Sequence, residues 1–301
     1  MLKLSEPVKV LHLEPTDVCN AACPLCPRET DRRFDKTIKH HLTVEQIQNL
    51  FDEDFIRGLD KMFMCGNYGD PAASENALAI YRYFRQINPN IILGMNTNGS
   101  LRNPAWWQEL AGIFTNPEDF VIWSLDGLED TNHIYRINTQ WHKIMRNAKA
   151  YIAAGGNAQW DMLVYEHNQH QVDQAQAQAK AMGFTWFRAK VSSRPPENIA
   201  WLKQPTGWNN PIVTVGKVEC IAEKDQSLYV SARGILYRCC WLGYHPSWSM
   251  DHFIDIKKTW NTDQCHVQCK KVCTTQNSGN SFTNQWQRNV PLLATNESKI
   301  D

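Results

Sequence analysis

The chain has 301 residues, of which 31 are Lys or Arg and 31 are Asp or Glu, so its formal net charge is zero. A neutral chain projects no global field toward nucleic acid or anionic lipid, and no apolar run reaches the roughly 18–20 residues of a membrane span. The first ten residues lack the apolar centre of a signal peptide. The expectation is therefore a cytoplasmic protein, with one large domain and a small one, that engages neither membrane nor nucleic acid.

The elements follow in chain order. Residues 8–14 (VKVLHLE) alternate as a strand. Residues 43–55 read as one helix, with Thr43 as N-cap and Gln46 completing a capping box. Residues 61–65 form a short apolar run. Residues 74–87 are amphipathic, with Ala77, Ile80, Tyr81 and Phe84 on one face. A strand over 91–96, a helix over 104–114 opened by Pro104, and a strand over 120–125 come next. A helix over 142–154 stops at Gly155-Gly156 and is followed by a strand over 159–165. A helix over 170–182 ends at Gly183, and the last strand of the series covers 184–190.

Six strands alternating with helices predict an α/β fold with a parallel sheet. Six units are fewer than the eight of a closed barrel, so the expected form is an incomplete (β/α)6 TIM-like barrel. Chemistry in such folds sits at the C-terminal ends of the strands. Residues 193–216 hold Pro195, Pro196, Pro205 and Pro211 and read as a linker. Residues 227–231 and 235–239 flank Ala232-Arg233-Gly234, a hairpin signal, and 251–260 form a short helix. From Thr274 the chain is polar, rich in Asn, Gln and Ser.

Ten cysteines in a reducing compartment point to metal or redox chemistry. Cys19, Cys23 and Cys26 lie together after the first strand, six more lie between 220 and 273, and Cys65 stands apart. Three thiolates on one loop can take three corners of a four-iron cubane and leave the fourth iron open for another molecule. Zinc, the rival, usually wants a fourth protein ligand, and no Cys or His follows closely after Cys26.

The run Glu14-Pro15-Thr16-Asp17-Val18-Cys19-Asn20, continued as CX3CX2C, resembles the signature of the radical S-adenosylmethionine (SAM) superfamily. One departure is Leu25, where an aromatic residue is common before the third cysteine. The resemblance implies a [4Fe-4S] cluster on Cys19, Cys23 and Cys26 whose open iron is chelated by SAM. An electron then cleaves SAM to methionine and a 5′-deoxyadenosyl radical, which abstracts hydrogen from substrate. It implies further that Gly66, Gly69 and Asp70, after the second strand, receive the SAM ammonium, since glycine allows close approach and positive φ. Asn98, after the third strand, and Ser124, after the fourth, fall in segments that resemble the SAM-binding ones. Asp126 is expected on the substrate side. Arg136 is expected to pair with the SAM carboxylate.

Cys220, Gly234 and Cys239 are spaced as CX13GX4C, which resembles the opening of the SPASM and Twitch extensions of the same superfamily. That implies a second, auxiliary [4Fe-4S] cluster on Cys220, Cys239 and two of Cys265, Cys269 and Cys273, with Cys269 and Cys273 favoured. Six cysteines are too few for two auxiliary clusters. A zinc ribbon is the rival for this module. Cys240 and Cys65 read as packed thiols, and most of the twelve tryptophans as core.

The expected organisation is a radical SAM partial barrel over 1–192, a linker over 193–216, a β-hairpin and helix Fe–S module over 217–275, and a tail over 276–301. The expected activity is hydrogen abstraction from a peptide or from a small alcohol or sugar, with flavodoxin or ferredoxin as reductant. The alternative is a non-catalytic iron–sulfur or zinc-binding scaffold. Since only seven residues precede the first strand, a peptide leader-binding domain is expected on a separate protein.

Overall fold

The computed structural model describes residues 7–192, 194, 196, 199–208 and 216–274. The tail over 276–301 lies outside the described residues, as does part of the 193–216 linker. Eight strands form one sheet: β1 (Val10–Leu13), β2 (Lys61–Met64), β3 (Ile92–Thr97), β4 (Phe120–Ser124), β5 (Ala158–Val164), β6 (Trp186–Val191), β7 (Ser227–Val230) and β8 (Leu236–Tyr237). The order across the sheet is β6-β5-β4-β3-β2-β1-β7-β8. Strands β1 to β6 are parallel, and helices fill the crossovers between them. The fold is the expected incomplete α/β barrel with a C-terminal hairpin.

Side-chain alternation sorts the strands into two faces. Leu11, Leu13, Met62, Met64, Leu93, Met95, Val121 and Trp123 pack outward on the crossover helices. Val10, Phe63, Phe120, Ile122 and Tyr229 face the concave side, where Leu242, Phe253, Ile256 and the late cysteines cover them. That concave face turns polar toward the strand ends, at Glu14, Asn96, Ser124, Asp161 and Lys190. The helices at its back are well terminated. Thr43 and Gln46 form the predicted capping box, Asn103 caps Trp106 N, and Gly183 closes its helix at φ 86°.

The hairpin does not stand apart. β7 lies parallel to β1, with Val10 opposite Ser227 and Leu13 opposite Val230, and β8 turns back antiparallel on β7. The C-terminal segment therefore continues the barrel's own sheet. The helix expected over 43–55 is instead two, Val44–Leu50 and Glu53–Arg57. Asp52 interrupts it by accepting the Phe55 amide at 2.7 Å as a fresh N-cap. Phe51 becomes extended and buries its ring against Phe55 at 4.2 Å. Among the described residues, no helix is long and apolar enough to cross a membrane.

A titratable side chain lies in this core. His12, on the concave face, is stacked on Phe63 at 4.4 Å and meets the edge of Tyr229 at 4.8 Å. Its Nε2–H donates to the Cys65 carbonyl at 2.6 Å. Burial lowers its pKa from 6.5 to about 4, against the opposing effect of that hydrogen bond. The unfolded chain therefore takes up a proton that the folded chain refuses. The stabilisation is full above pH 6.5 and is lost as pH falls toward 4, and a gap of this size is worth about 3 kcal/mol. Denaturant titrations across that window should show a shallower loss of stability in His12→Gln than in the wild type. Equal slopes would refute the assignment.

Candidate active site

Glu14, just past β1, organises the loops above the sheet. Its buried carboxylate accepts the Tyr68 amide at 2.7 Å, the Gly69 amide at 3.2 Å and the Tyr229 hydroxyl. It thus joins β1, the loop after β2 and the hairpin. The loop over 66–70 runs tightly under the first cysteine loop, with Asp70 N donating to Val18 O at 2.9 Å. A Cβ on Gly69 would lie 1.9 Å from the Thr16 carbonyl, and one on Gly66 would lie 2.2 Å from the Gly69 carbonyl. Both glycines serve close backbone approach; neither is among the positive-φ residues. Asp17 ties down the excursion that follows, accepting His40 N at 2.9 Å and His40 Nδ1–H at 2.6 Å.

Cys19, Cys23 and Cys26 open on one cavity of about 220 Å³ at the C-terminal ends of the strands. Donors point at the sulfurs: Ala21 N and Asn98 Nδ2 at Cys19 Sγ, 3.3 and 3.7 Å away, and Arg136 Nη1 at Cys23 Sγ, 3.8 Å away. Burial raises the pKa of all three thiols, that of Cys23 to about 11. The thiolates therefore need a bound cation, and metal binding would release the protons. Among the described residues, no three Cys, His, Asp or Glu side chains close on a point as ligands of one ion would. A cubane asks for a wider triangle, because each sulfur takes a different iron.

Gly66, Gly69, Asp70, Asn98, Ser124 and Arg136 line the same cavity. Two of the expected carboxylates are engaged by the protein itself. The Asp70 carboxylate turns into the protein, where it accepts Ala72 N at 2.9 Å, Asn98 N at 2.7 Å and the Thr97 hydroxyl at 2.9 Å. It welds the end of β2 to the end of β3, with little acceptor capacity left for an ammonium. Asp126 is fully buried and is not part of the cavity wall. Its carboxylate accepts Arg136 Nε at 2.5 Å and Leu163 N at 2.7 Å, which fixes the guanidinium in place. Burial opposes the Arg136 charge, but the Asp126 carboxylate beside it outweighs burial and keeps the guanidinium ionised.

The cavity also takes in residues that had no expected role: Cys65, Asp161, Lys190 and Arg194. For Lys190 the available signal was its place two residues after Arg188 on β6, since every second residue of a strand shares a face.

On the concave side, toward the strand starts, Cys220, Cys239, Cys265, Cys269 and Cys273 share one apolar cluster with Tyr229, Tyr237 and Phe253. Cys273 raises the Cys220 pKa by hydrogen bonding to it, and burial adds to this. Burial is the main cause for Cys239, with Cys220 and Cys269 both near enough to contribute. Burial raises Cys269 to about 12, with Cys220 and Cys265 adding to it. Cys240 is buried in the same cluster, and its carbonyl accepts Asn67 Nδ2 at 2.8 Å, which ties it to the loop after β2. Trp241, Trp248 and Trp260 pack on the same cluster.

The model of the Radical SAM superfamily matches residues 13–174, more than half of the chain. A probable GTP 3′,8-cyclase of Thermococcus kodakarensis is 34% identical over 99 residues, which is 33% of this chain and 30% of that protein. The chain thus spans less than a third of this curated relative. Among solved structures, Streptococcus suis SuiB bound to precursor peptide SuiA superposes with a TM-score of 0.59 at 12% identity, over 86% of this chain and 66% of that one. Histidine-tagged anSMEcpe with bound AdoMet gives a TM-score of 0.57 at 14% identity, over 81% of this chain and 74% of that one. At these identities the likeness is one of fold.

Proposed function

The chain belongs to the radical SAM superfamily of enzymes, and from that premise we propose that Cys19, Cys23 and Cys26 hold a [4Fe-4S] cluster with one iron open to SAM. The observation that carries this reading is the convergence of three thiols from one loop, Cys23 buried and Cys19 and Cys26 half-buried, on a cavity that also takes in Arg136, Asn98 and Ser124. Bound there, the cluster and SAM supply a 5′-deoxyadenosyl radical by one-electron cleavage, with flavodoxin or ferredoxin as the electron source.

The chain's own residues prepare that site. Glu14 and Asp17 fix the cysteine loop from behind, and Gly66 and Gly69 let the 66–70 backbone pass close beneath it. Arg136, held at its Nε by Asp126, presents its remaining N–H groups to the SAM carboxylate. The ammonium is met by loop backbone and not by the Asp70 carboxylate. Tyr135 and Leu163 make part of the wall apolar, which excludes water from a reactive radical.

Cys220, Cys239, Cys269 and Cys273 hold an auxiliary [4Fe-4S] cluster in the segment over 217–275, with Cys265 as the alternative fourth ligand. Its position on the barrel's concave side suits an electron acceptor for the substrate radical. SuiB and anSMEcpe, of similar fold, have been solved with peptides. They support a peptide substrate ahead of a small alcohol or sugar. Anaerobic reconstitution should load about eight irons per chain, and a Cys19, Cys23 and Cys26 triple alanine variant should keep about four. Equimolar zinc with about four irons would instead favour a zinc ribbon over 217–275. A non-catalytic scaffold would form no 5′-deoxyadenosine from SAM after reduction.

A further inference from the structure

A second pocket, of about 230 Å³, adjoins the cavity of the three cysteines, and Tyr68 lines both. One wall is the excursion over 27–41 that follows Cys26, through Arg33 and Phe34. The other is the β7–β8 hairpin and the loop beyond it, through Arg233, Tyr237 and Tyr244. The rings pack on one another: Phe34 stacks on Tyr68 at 4.3 Å, and Tyr68 meets the edge of Tyr244 at 5.8 Å. The Tyr68 hydroxyl donates to Asp31 at 3.0 Å, which pins the excursion to the cavity wall. Glu14 and Asp17 also line the pocket, but both are buried and their carboxylates already accept protein donors.

The rim is basic. The excursion carries Arg28, Arg32, Arg33, Lys36 and Lys39 against Glu29, Asp31 and Asp35. Arg33 is paired with Asp31 and Lys36 with Glu29, while Asp35 accepts from Thr37. Arg28 is half-buried and donates to the Asp17 carbonyl. Arg32 adjoins Arg33 of the pocket wall, and Lys39 adjoins His40, which Asp17 holds. These two, and Arg233 across the pocket, are exposed and make no hydrogen bond or ion pair among the described residues. Beside Lys39, Ile38 is 51% exposed and offers an apolar contact. Exposed cations without partners add little to the fold. Set on two sides of an aromatic pocket, they draw in an acidic protein and fix its orientation.

We propose that this pocket is the docking site of the electron donor, a small acidic flavodoxin, with Arg32, Lys39 and Arg233 steering it and the aromatic wall taking the edge of its flavin. A flavin presents a flat aromatic edge that suits these rings, which an iron–sulfur carrier does not. Tyr68 is the layer between that edge and the cavity. Transfer moves one electron from the reduced flavin to the cluster, and no bond is made or broken in either protein. The proposal rests on the cluster reading for Cys19, Cys23 and Cys26.

The test uses the anaerobically reconstituted enzyme and an acidic flavodoxin. Titration calorimetry with the oxidised flavodoxin gives the affinity, and 5′-deoxyadenosine formation with the reduced one gives the rate. Both should fall as salt rises, since steering is screened. The triple variant Arg32→Glu, Lys39→Glu, Arg233→Glu should lose about tenfold or more in both at low salt and should depend little on salt. Its 5′-deoxyadenosine yield with excess dithionite should stay within about twofold of wild type, because none of the three lines the cysteine cavity. A matched variant, Arg146→Glu, Lys149→Glu, Lys180→Glu, changes net charge equally at exposed positions of the helices Trp141–Ala153 and Val172–Met182, and should behave as wild type. Equal losses in both variants would reduce the effect to net charge and overturn the proposal. So would a wild type whose binding and rate ignore salt, or a first variant that matches wild type with flavodoxin. Failure of the cluster reading looks different: the wild type would form no 5′-deoxyadenosine even with excess dithionite.

Discussion

Replacing Cys19, Cys23 and Cys26 together by alanine should reduce 5′-deoxyadenosine formation from SAM to background. The three sulfurs face one cavity, and burial keeps each thiol protonated until a metal takes its place. Without them no iron can be held where Arg136, Asn98 and Ser124 converge. Cys65 lines the same cavity and could complicate a single substitution, but one thiol cannot replace three. The fold should survive, because the loop is anchored mainly through the Asp17 carboxylate and through backbone hydrogen bonds of Val18 and Ala22. The measurement is chromatographic detection of 5′-deoxyadenosine after reduction, with circular dichroism to check folding. A folded triple variant that still cleaves SAM would remove the central claim.

The second large effect is at Arg136. Asp126 is fully buried beside it, and Arg136→Ala leaves that carboxylate without its cation. Breaking a buried pair from one side costs about 3–5 kcal/mol. Burial already raises the Asp126 pKa, and loss of Arg136 removes the largest opposing influence. In the variant, a carboxyl with a raised folded pKa is tolerated when protonated and penalised when ionised. The destabilisation should therefore be small in acid and grow as pH rises toward neutrality. Arg136→Leu combined with Asp126→Asn should restore much of the stability, since no orphaned charge remains. It should not restore SAM binding, which should stay weaker by tens-fold, as expected when a buried charge partner worth about 2–5 kcal/mol is lost. Equilibrium dialysis on the anaerobic protein decides the point. A double variant that binds SAM within about twofold of wild type would make Arg136 a purely structural residue.

The legible parts of this molecule were those governed by short-range rules. Strand–helix alternation gave the parallel sheet, Thr43 and Gln46 gave a helix start, and Gly183 gave a helix stop. The three early cysteines and the strand-end residues Gly69, Asn98 and Ser124 do meet at one cavity. What escaped was set by tertiary partners. The Asp52 N-cap competed with helix continuation after Leu50, a contest that periodicity does not weigh. Asp70 and Asp126 are carboxylates near a cavity, yet their acceptor atoms are taken from behind by Ala72, Asn98, Leu163 and Arg136. The hairpin signal at Ala232-Arg233-Gly234 was local and real, but parallel pairing of β7 with β1 has no local signature. Lys190 was read only as the last residue of a strand, because its ion pair with Asp161 on the neighbouring strand is a tertiary contact.

The pairing of β1 with β7 also bears on how the chain emerges from the ribosome. β1 is made long before one of its two neighbours, which lies more than two hundred residues later, at Ser227–Val230. Synthesis at about 5–20 residues per second leaves that side of β1 open for tens of seconds. The exposed edge is Val10-Leu11-His12-Leu13, an apolar row of unpaired amides and carbonyls and so a template for the wrong strand. A contact this distant in sequence is slow to close even in the finished chain. The barrel is completed only when its last-made strands return to its first, so a nascent chain stalled before Ser227 is the form most exposed to aggregation and most in need of a chaperone.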